Sequence, residues 1–331
     1  MKVSRRFDAS ELGTSFFESV DLLLFGQVTD EERNRRLAQL YGFGNTTRSY
    51  FIDYDLDTEE YSLLPQAFGT EPSQETILAT RKDISTQLRD QLQGLDIQGK
   101  TLLVDITGIA TPAVFFILKL LTEDVKPSRV FLAYTEPQTY REKLLPDSDD
   151  MFELTERFIG IKALPGFLRK TARGAETILV LLIGFEGKRF KYVCGELEVK
   201  NENVRVVLGF PAFRPGWQYL AYGGNQSAFE QFQADLYLRF AAANDPFEAY
   251  NTLEEILKDE RNIQPSPEIA VAPIGTKPHA VGAAIFALHY PDNTRLLYDF
   301  PVKARTGRTE GYGITWIYGV TELLQQTGTS S

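Results

Sequence analysis

Apolar runs of strand length recur along the chain, and two of them are followed by apolar segments of helix length. The runs at 102–106, 178–183 and 269–272 are almost entirely apolar, as is typical of strands buried on both faces. Helices are predicted where 112–121 and 280–289 continue the pattern. The order strand, turn, helix, strand predicts an α/β fold with a mainly parallel, Rossmann-like sheet flanked by helices.

A faint internal repeat accompanies this order. Residues 103–137 and 271–301 each contain a strand, a turn with Gly and Thr, a helix that starts with proline, a second strand and a Tyr-x-x-Pro ending. The repeat is compatible with two related α/β halves, which we place at 1–175 and 176–331. A single sheet with repeated connections explains the same pattern, and the sequence leaves both readings open.

Weaker patterns predict the remaining elements. Residues 189–199 alternate between charged and apolar positions, which indicates a strand, and 204–208 indicates another. Cys194 falls in the first of these, and we expect it to be buried. Helices are predicted at 73–92, 151–159, 227–242 and 246–259.

Composition and charge narrow the possible functions. The chain is 43% hydrophobic and 24% charged, as in ordinary globular proteins, and its net charge of −10 argues against broad binding to nucleic-acid phosphate. The single cysteine excludes an intramolecular disulfide and suits a reducing compartment. No apolar run is long enough to cross a bilayer, and the first residues lack the apolar segment of a signal peptide. We therefore expect a cytoplasmic protein without membrane contact.

The turn between 269–272 and 280–289 carries the most specific chemistry. Gly275 allows close approach of the backbone, Thr276 offers a hydroxyl, and Lys277 adds a mobile positive charge. Free N–H groups and the helix dipole favour an anion at the start of the following helix. We expect these three residues to bind a phosphate or carboxylate, although a plain turn with a capping Thr and a solvated Lys explains the same sequence.

Four further residues are candidates for the same ligand. His279 either donates to a phosphate or base, or caps and packs. In the turn at 105–108, Asp105 could bind ribose hydroxyls beside Thr107 and Gly108, or form an Asx-type turn. Arg305 belongs to a basic segment after the second strand that could lie over a bound anion.

Metal and catalytic chemistry have weaker signals. Asp53, Asp55 and Asp57 alternate, which would place them on one face of a strand. However, the other motifs of a haloacid-dehalogenase-like phosphatase are missing. The E-x-K pattern at 196–200 occurs in metal-dependent nucleases, where two carboxylates hold Mg²⁺. Two histidines and one cysteine argue against a His/Cys metal site, so we predict no metal site and leave cofactor and catalytic residues unassigned.

The strand followed by Gly275-Thr276-Lys277 and a small-residue helix resembles the ligand-sensing turn of CRISPR-associated Rossmann-fold (CARF) domains and their SAVED relatives. Those domains bind cyclic oligonucleotides in prokaryotic antiviral defence. The resemblance implies that Gly275, Thr276 and Lys277 contact ligand phosphate and that the 105–108 turn forms the opposing side. No effector domain is recognisable in the chain, which implies a partner.

The sequence is compatible with three functions. The first is a sensor that binds a small nucleotide-like ligand and acts through a protein partner or as a homodimer. The second is an Mg²⁺-dependent enzyme acting on a nucleotide or nucleic acid, using Asp105, Glu136 or the 196–200 group. The third is a structural subunit of a complex.

Overall fold

Long apolar runs form the central strands of two sheets, and each sheet belongs to a separate compact unit. The computed structural model describes residues 6–44, 46–141, 152, 154–164, 166–168, 177–303 and 308–326. The first unit comprises Met1–Tyr140 and Thr306–Gln326, and the second unit comprises Arg141–Arg305 and Thr327–Ser331. This division differs from the predicted boundary between residues 175 and 176, because the last strand pairs within the first unit.

Strands occur in both units. In chain order, those within the described residues are β1 (Arg6–Asp8), β2 (Leu22–Phe25), β3 (Arg48–Tyr54), β4 (Glu60–Pro65), β5 (Lys82–Asp83), β6 (Thr101–Asp105), β7 (Arg129–Tyr140), β8 (Thr155–Phe158), β9 (Lys162–Ala163), β10 (Thr177–Ile183), β11 (Val204–Gly209), β12 (Leu238–Ala241), β13 (Glu268–Pro273), β14 (Thr294–Tyr298), β15 (Pro301–Lys303) and β16 (Thr309–Gly319).

Helices connect most of these strands. They are α1 (Thr14–Glu18), α2 (Arg36–Leu40), α3 (Gln74–Thr80), α4 (Ile84–Gly94), α5 (Thr111–Glu123), α6 (Gly187–Leu197), α7 (Trp217–Gly224), α8 (Gln226–Phe232), α9 (Pro246–Ile263), α10 (Lys277–His289) and α11 (Thr321–Gln325). Over the part of the chain that is described, none of the helices combines the length and the apolar character needed to span a bilayer.

The first unit has a mixed sheet. Its strand order is β1-β16-β7-β6-β2-β3-β4-β5, counted over the described residues. The central strands β7, β6, β2 and β3 are mutually parallel, whereas antiparallel strands extend the sheet at both ends. The expectation of a mainly parallel sheet therefore needs correction for this unit.

The second unit has a sheet in which parallel pairing predominates. Its order is β12-β11-β10-β13-β14-β9, again for the residues described, and only the pairing of β14 with β9 is antiparallel. A small antiparallel pair of β8 and β15 forms a third sheet. The predicted α/β class is confirmed, with helices and parallel strands in both units.

In both large sheets, the chain first adds strands on one side of a central strand and then adds the later strands on its other side. In the second unit the chain moves outward from β10 to β11 and β12, then returns to the other side of β10 as β13 and continues to β14. In the first unit β2 and β6 stand in the same relation. Such a position is a topological switch point, and ligands of open α/β sheets bind at the carboxyl ends of the strands there.

Close packing against helix α9 explains the small residues of helix α10. A Cβ at Gly282 would lie 2.4 Å from the carbonyl oxygen of Pro246 and 2.9 Å from the Cβ of Ala249. The Asp245 carboxylate caps α9 by accepting the N–H of Phe247 at 2.8 Å. The predicted helix at 280–289 is confirmed, although it begins at Lys277.

Several of the weaker element predictions are wrong. Residues 189–199 are mostly the helix α6, not a strand. The predicted helix at 151–159 contains strand β8, although residues 151 and 153 lie outside the described residues. The predicted helix at 227–242 is α8 followed by strand β12, and the one at 73–92 is divided into α3 and α4 by β5.

Candidate functional site

The Gly275 turn lies at the switch point of the second unit. It follows β13, and its neighbour across the sheet is Gly184, which follows β10. A Cβ at Gly275 would stand 2.5 Å from the carbonyl oxygen of Ile183, and a Cβ at Gly184 would stand 3.2 Å from the Cα of Gly275. The two chain segments therefore meet backbone to backbone, a contact that any side chain at position 275 would block.

The hydroxyl of Thr276 is used within the protein. Oγ1 donates to the carbonyl of Ala243 at 2.6 Å and accepts the N–H of His279 at 3.3 Å, so Thr276 is the N-cap of α10. Pro278 has no N–H to offer. Among the described residues, no hydrogen bond is made by the N–H groups of Gly275 and Thr276, and both residues are half-exposed.

Lys277 is the first residue of α10 and is also half-exposed. Its ammonium group belongs to the same short turn as the N–H groups of Gly275 and Thr276. Backbone donors, the positive end of a helix dipole and a lysine together form an environment that favours an anion. That this turn binds an anion stays a prediction.

A buried ion pair holds the turn in place. Arg189, on α6, makes two hydrogen bonds of 2.7 Å to the carboxylate of Asp299 and a third of 2.7 Å to the carbonyl of Ile274. The side chain of Asp299 is fully buried, and that of Arg189 is 12% exposed. One guanidinium therefore ties together α6, the residue before Gly275 and the end of β14.

Buried polar groups also fix the loop after β10. The Asn225 side-chain amide donates to the carbonyl of Gly184 at 2.8 Å. The carboxylate of Glu186 accepts the N–H of Thr155 at 2.9 Å and its hydroxyl at 2.8 Å. This carboxylate is satisfied within the protein, so it is not a ligand group in this arrangement.

His279 is not placed to contact a ligand, which corrects its inclusion among the binding residues. Its side chain is 0% exposed, and Nε2 lies 3.0 Å from the carbonyl of Ala242. Burial lowers the pKa of this imidazole from 6.5 to about 4, so the ring is neutral at physiological pH and Nε2–H donates to Ala242. Together with Thr276, it fastens the 242–243 segment to the start of α10.

The turn at 105–108 lies at the switch point of the first unit. Asp105 is 2% exposed, and its Oδ1 accepts the N–H of Thr107 at 3.0 Å, which is the Asx-type turn. The buried hydroxyl of Thr107 accepts the N–H of Thr135 at 3.0 Å. A Cβ at Gly108 would lie 2.1 Å from the carbonyl oxygen of Gln27, so this glycine also serves a backbone crossing.

The structure thus divides the candidate residues between the units. Gly275, Thr276, Lys277 and His279 share one turn of the second unit, and Asp105, Thr107 and Gly108 share one turn of the first. That the second group forms the opposing side of the ligand site stays a prediction. Arg305 lies outside the described residues.

The acidic residues considered for metal chemistry have structural roles. Arg81 pairs with Asp53 at 3.3 Å and with Asp55 at 2.6 Å. Glu196 is near the end of α6 and Glu198 is its left-handed C-cap, so the E-x-K pattern is not on a strand. Within the described part of the chain, no group of three or more His, Cys, Asp or Glu side chains is arranged to hold a metal ion.

Sequence reasoning did not assign Gly184, Arg189 or Asn225 to the site. Gly184 could have been predicted from the sequence, because it directly follows a uniformly apolar strand and glycines are typical of the turns after such strands at a switch point. Arg189 and Asn225 had none, since their partners at Asp299 and Gly184 are 110 and 41 residues away in sequence.

Comparison with protein-family models gives no match to this chain, and neither does comparison with curated proteins.

Proposed function

We propose that this protein binds a small nucleotide-like anion at the Gly275 turn and passes the signal to a partner protein or to a second copy. The strands β10 to β14 with their helices act as a Rossmann-like binding unit in this proposal. By its resemblance to CARF and SAVED domains, the ligand is a nucleotide of the kind used in antiviral signalling. The site of action is the cytoplasm.

The N–H groups of Gly275 and Thr276 carry this proposal. They stand half-exposed at a switch point, beside Lys277 and the N-terminus of a 13-residue helix. The turn is also held rigidly, by Arg189 at Ile274 and by Thr276 at Ala243. A preorganised set of donors loses little conformational entropy when an anion binds, which favours affinity.

The enzyme alternative has less support. Asp105 is buried in its own turn, and Glu136 is buried and accepts the indole N–H of Trp316 at 2.7 Å. The burial of Cys194 raises the pKa of its thiol to about 12, which argues against a nucleophile. A structural subunit of a complex remains the second alternative, and ligand binding separates it from the sensor.

Isothermal titration calorimetry tests the proposal. The wild-type protein is titrated with AMP, ATP, a cyclic dinucleotide and a cyclic oligoadenylate, each with and without Mg²⁺. We expect saturable binding of at least one of them and a thermal stabilisation of about 2.7 kcal/mol at 100 times the Kd. Lys277→Ala should weaken that binding about 10- to 150-fold, because a charge-assisted hydrogen bond is lost.

Lys258→Ala is the matched control. Lys258 is an exposed lysine of α9 in the same unit, so its removal changes net charge equally. We expect it to leave affinity unchanged. Equal losses in the two variants would indicate a nonspecific charge effect, and an absence of binding to the wild-type protein would favour the structural subunit.

A further inference from the structure

An aromatic group stands beside the glycine crossing of the second unit. Phe185 directly follows Gly184, and its ring contacts Trp217 edge to face with centroids 5.7 Å apart. Trp217 begins α7, which follows the carboxyl end of β11. Phe152 also contacts Phe185 edge to face, with ring centroids 4.9 Å apart. Trp217 is thereby linked to the Gly275 turn by a short chain of direct contacts.

Trp217 differs from the other aromatic residues of α7. The ring of Tyr222 stacks on Phe229 at 5.0 Å, and Phe229 belongs to the hydrophobic core. Tyr219 is 74% exposed, so it packs little. Trp217 is half-exposed at the carboxyl edge of the sheet, on the same edge as Gly184 and Gly275. Its side chain is therefore partly accessible to solvent at the edge of the sheet that carries the Gly275 turn.

The Arg214 guanidinium lies over the indole ring of Trp217, but farther from it than in a close stack. The guanidinium carbon of Arg214 lies 5.9 Å from the ring centroid of Trp217. Two other arginines stack closely on tyrosines, Arg36 on Tyr312 at 4.0 Å and Arg205 on Tyr237 at 4.1 Å. The Arg214 group is thus about 2 Å farther from its ring than a closely stacked guanidinium.

We infer that Trp217 and Arg214 form a subsite for the nucleobase of the ligand whose phosphate lies at the Gly275 turn. This inference rests on the proposed function and specifies its ligand as a nucleotide with an intact base. A base held between two planar groups needs them about 7 Å apart, since stacked planes are about 3.4 Å apart. The guanidinium carbon of Arg214 is 5.9 Å from the ring centroid, so the half-exposed side chain must move outward to admit a base.

The chemistry of the pair suits this role. Bases stack on aromatic rings and on guanidinium planes without depending on one hydrogen-bonding pattern. The indole presents the large face that such stacking uses, and Arg214 adds a positive charge to an environment that already favours an anion. The phosphate and the base would then contact the loops after β13 and after β11, whose strands lie on either side of β10.

The test compares AMP with ribose 5-phosphate, which shares its phosphate and sugar but lacks the base. We expect Trp217→Ala to weaken AMP binding about 5- to 150-fold and to leave ribose 5-phosphate binding unchanged. Trp217→Phe, which retains an aromatic face, should restore most of the AMP affinity. Lys277→Ala should weaken both ligands.

Fluorescence gives a second measurement that does not depend on the alanine variant. The chain has two tryptophans, so in Trp316→Phe the emission excited at 295 nm comes from Trp217 alone. We expect AMP to quench this emission saturably and ribose 5-phosphate to leave it unchanged. In Trp217→Phe, AMP should leave the emission of Trp316 unchanged.

The results distinguish the base subsite at Trp217 from the phosphate site at the Gly275 turn. Unchanged AMP affinity in Trp217→Ala, or unchanged Trp217 emission at saturating AMP, would overturn the base subsite and leave the phosphate site standing. Loss of AMP binding in Trp217→Ala with full binding in Lys277→Ala would keep the base subsite and refute the phosphate assignment. If the wild-type protein binds neither AMP nor ribose 5-phosphate, the base subsite for a mononucleotide is refuted, and the phosphate site is refuted if the other nucleotides also fail to bind.

Discussion

At the scale of single residues, Gly275 shows how backbone contact determines the site. The residue is required because the strand beside it comes too close for a side chain, with 2.5 Å between a hypothetical Cβ and the carbonyl oxygen of Ile183. The same closeness brings the backbone of the turn to the switch point. Space, more than backbone conformation, selects glycine here.

Gly275→Ala should therefore destabilise the protein by about 1–3 kcal/mol, because the added methyl group forces the two loops apart. Gly195→Ala is the control: Gly195 lies within α6, where a Cβ would meet nothing within 4 Å. That substitution should stabilise the protein by about 0.5–1 kcal/mol through helix propensity. Urea denaturation measures both, and equal effects would contradict the close crossing.

His279 makes stability depend on pH. Its pKa is about 4 in the folded protein, below its ordinary value of 6.5. The unfolded chain therefore binds more protons between these values, and the free energy of unfolding falls as the pH drops from about 6.5 towards 4. The full effect is about 3 kcal/mol.

His279→Gln provides the measurement. The amide can still donate to Ala242 but does not titrate. We expect the stability difference between wild type and variant, from denaturation at pH 7 and pH 4.5, to shrink by most of those 3 kcal/mol at the lower pH. A difference that is the same at both pH values would show that the histidine is not buried as described.

The sequence predicted part of this residue-level picture. It offered the capping role of Thr276 only as the alternative to a ligand contact, and it assigned the close approach at Gly275 to a ligand and not to the strand beside it. It left the role of His279 open, because burial depends on the 242–243 segment, which is more than 30 residues away in the chain. Contacts made across loops have no local signal.

At the scale of elements, Arg189 links three segments of the second unit. Its guanidinium joins α6 to Asp299 after β14 and to Ile274 in the turn before α10. Few protein groups other than arginine can offer this many donors in a fixed plane. The orientation of the Gly275 turn therefore depends on a buried ion pair outside the turn itself.

Arg189→Leu should cost about 3–5 kcal/mol, because it leaves the Asp299 carboxylate buried without its partner. The double variant Arg189→Leu, Asp299→Leu should cost less than the single one. Arg239→Leu removes an exposed pair with Asp259 and should cost less than about 1 kcal/mol. Chemical denaturation of wild type and the three variants checks this order. If Arg189→Leu is no less stable than Arg239→Leu, the stabilising role of the Arg189–Asp299 pair is contradicted.

The elements themselves were predictable where one pattern was dominant. Almost entirely apolar runs identified β6, β10 and β13, because parallel strands buried on both faces are rich in apolar residues. The prediction of a strand at 189–199 was wrong because the residues of α6 fit both the helical and the strand period. Phe190, Val193 and Cys194 are buried at helical spacing, while charged residues alternate with apolar ones as in a strand. Only its position between two parallel strands decides for the helix.

At the scale of the whole molecule, the two units share the same arrangement of strands around a switch point. Each unit has a switch point where glycines cross: Gly26 with Gly108 in the first, and Gly184 with Gly275 in the second. The repeat seen between 103–137 and 271–301 covers β6 to β7 in one unit and β13 to β14 in the other. The surrounding sheets differ, since antiparallel strands extend the first.

Ligand binding should protect the second unit selectively. Hydrogen–deuterium exchange measured by mass spectrometry should slow in peptides from 177–303 on addition of the nucleotide that binds, because a ligand stabilises the unit that holds it. Peptides from 20–140 should change less. Protection confined to the first unit would contradict the assignment of the site to the Gly275 turn.

The backbone amides of Gly275 and Thr276 report directly on anion binding at this turn. Their resonances can be followed by ¹H–¹⁵N NMR during a titration with the nucleotide that binds. We expect both to shift saturably, with the Kd that calorimetry gives, and to shift less in Lys277→Ala at the same ligand concentration. Saturable shifts elsewhere in the protein, with these two resonances unmoved, would show that the anion binds at another place.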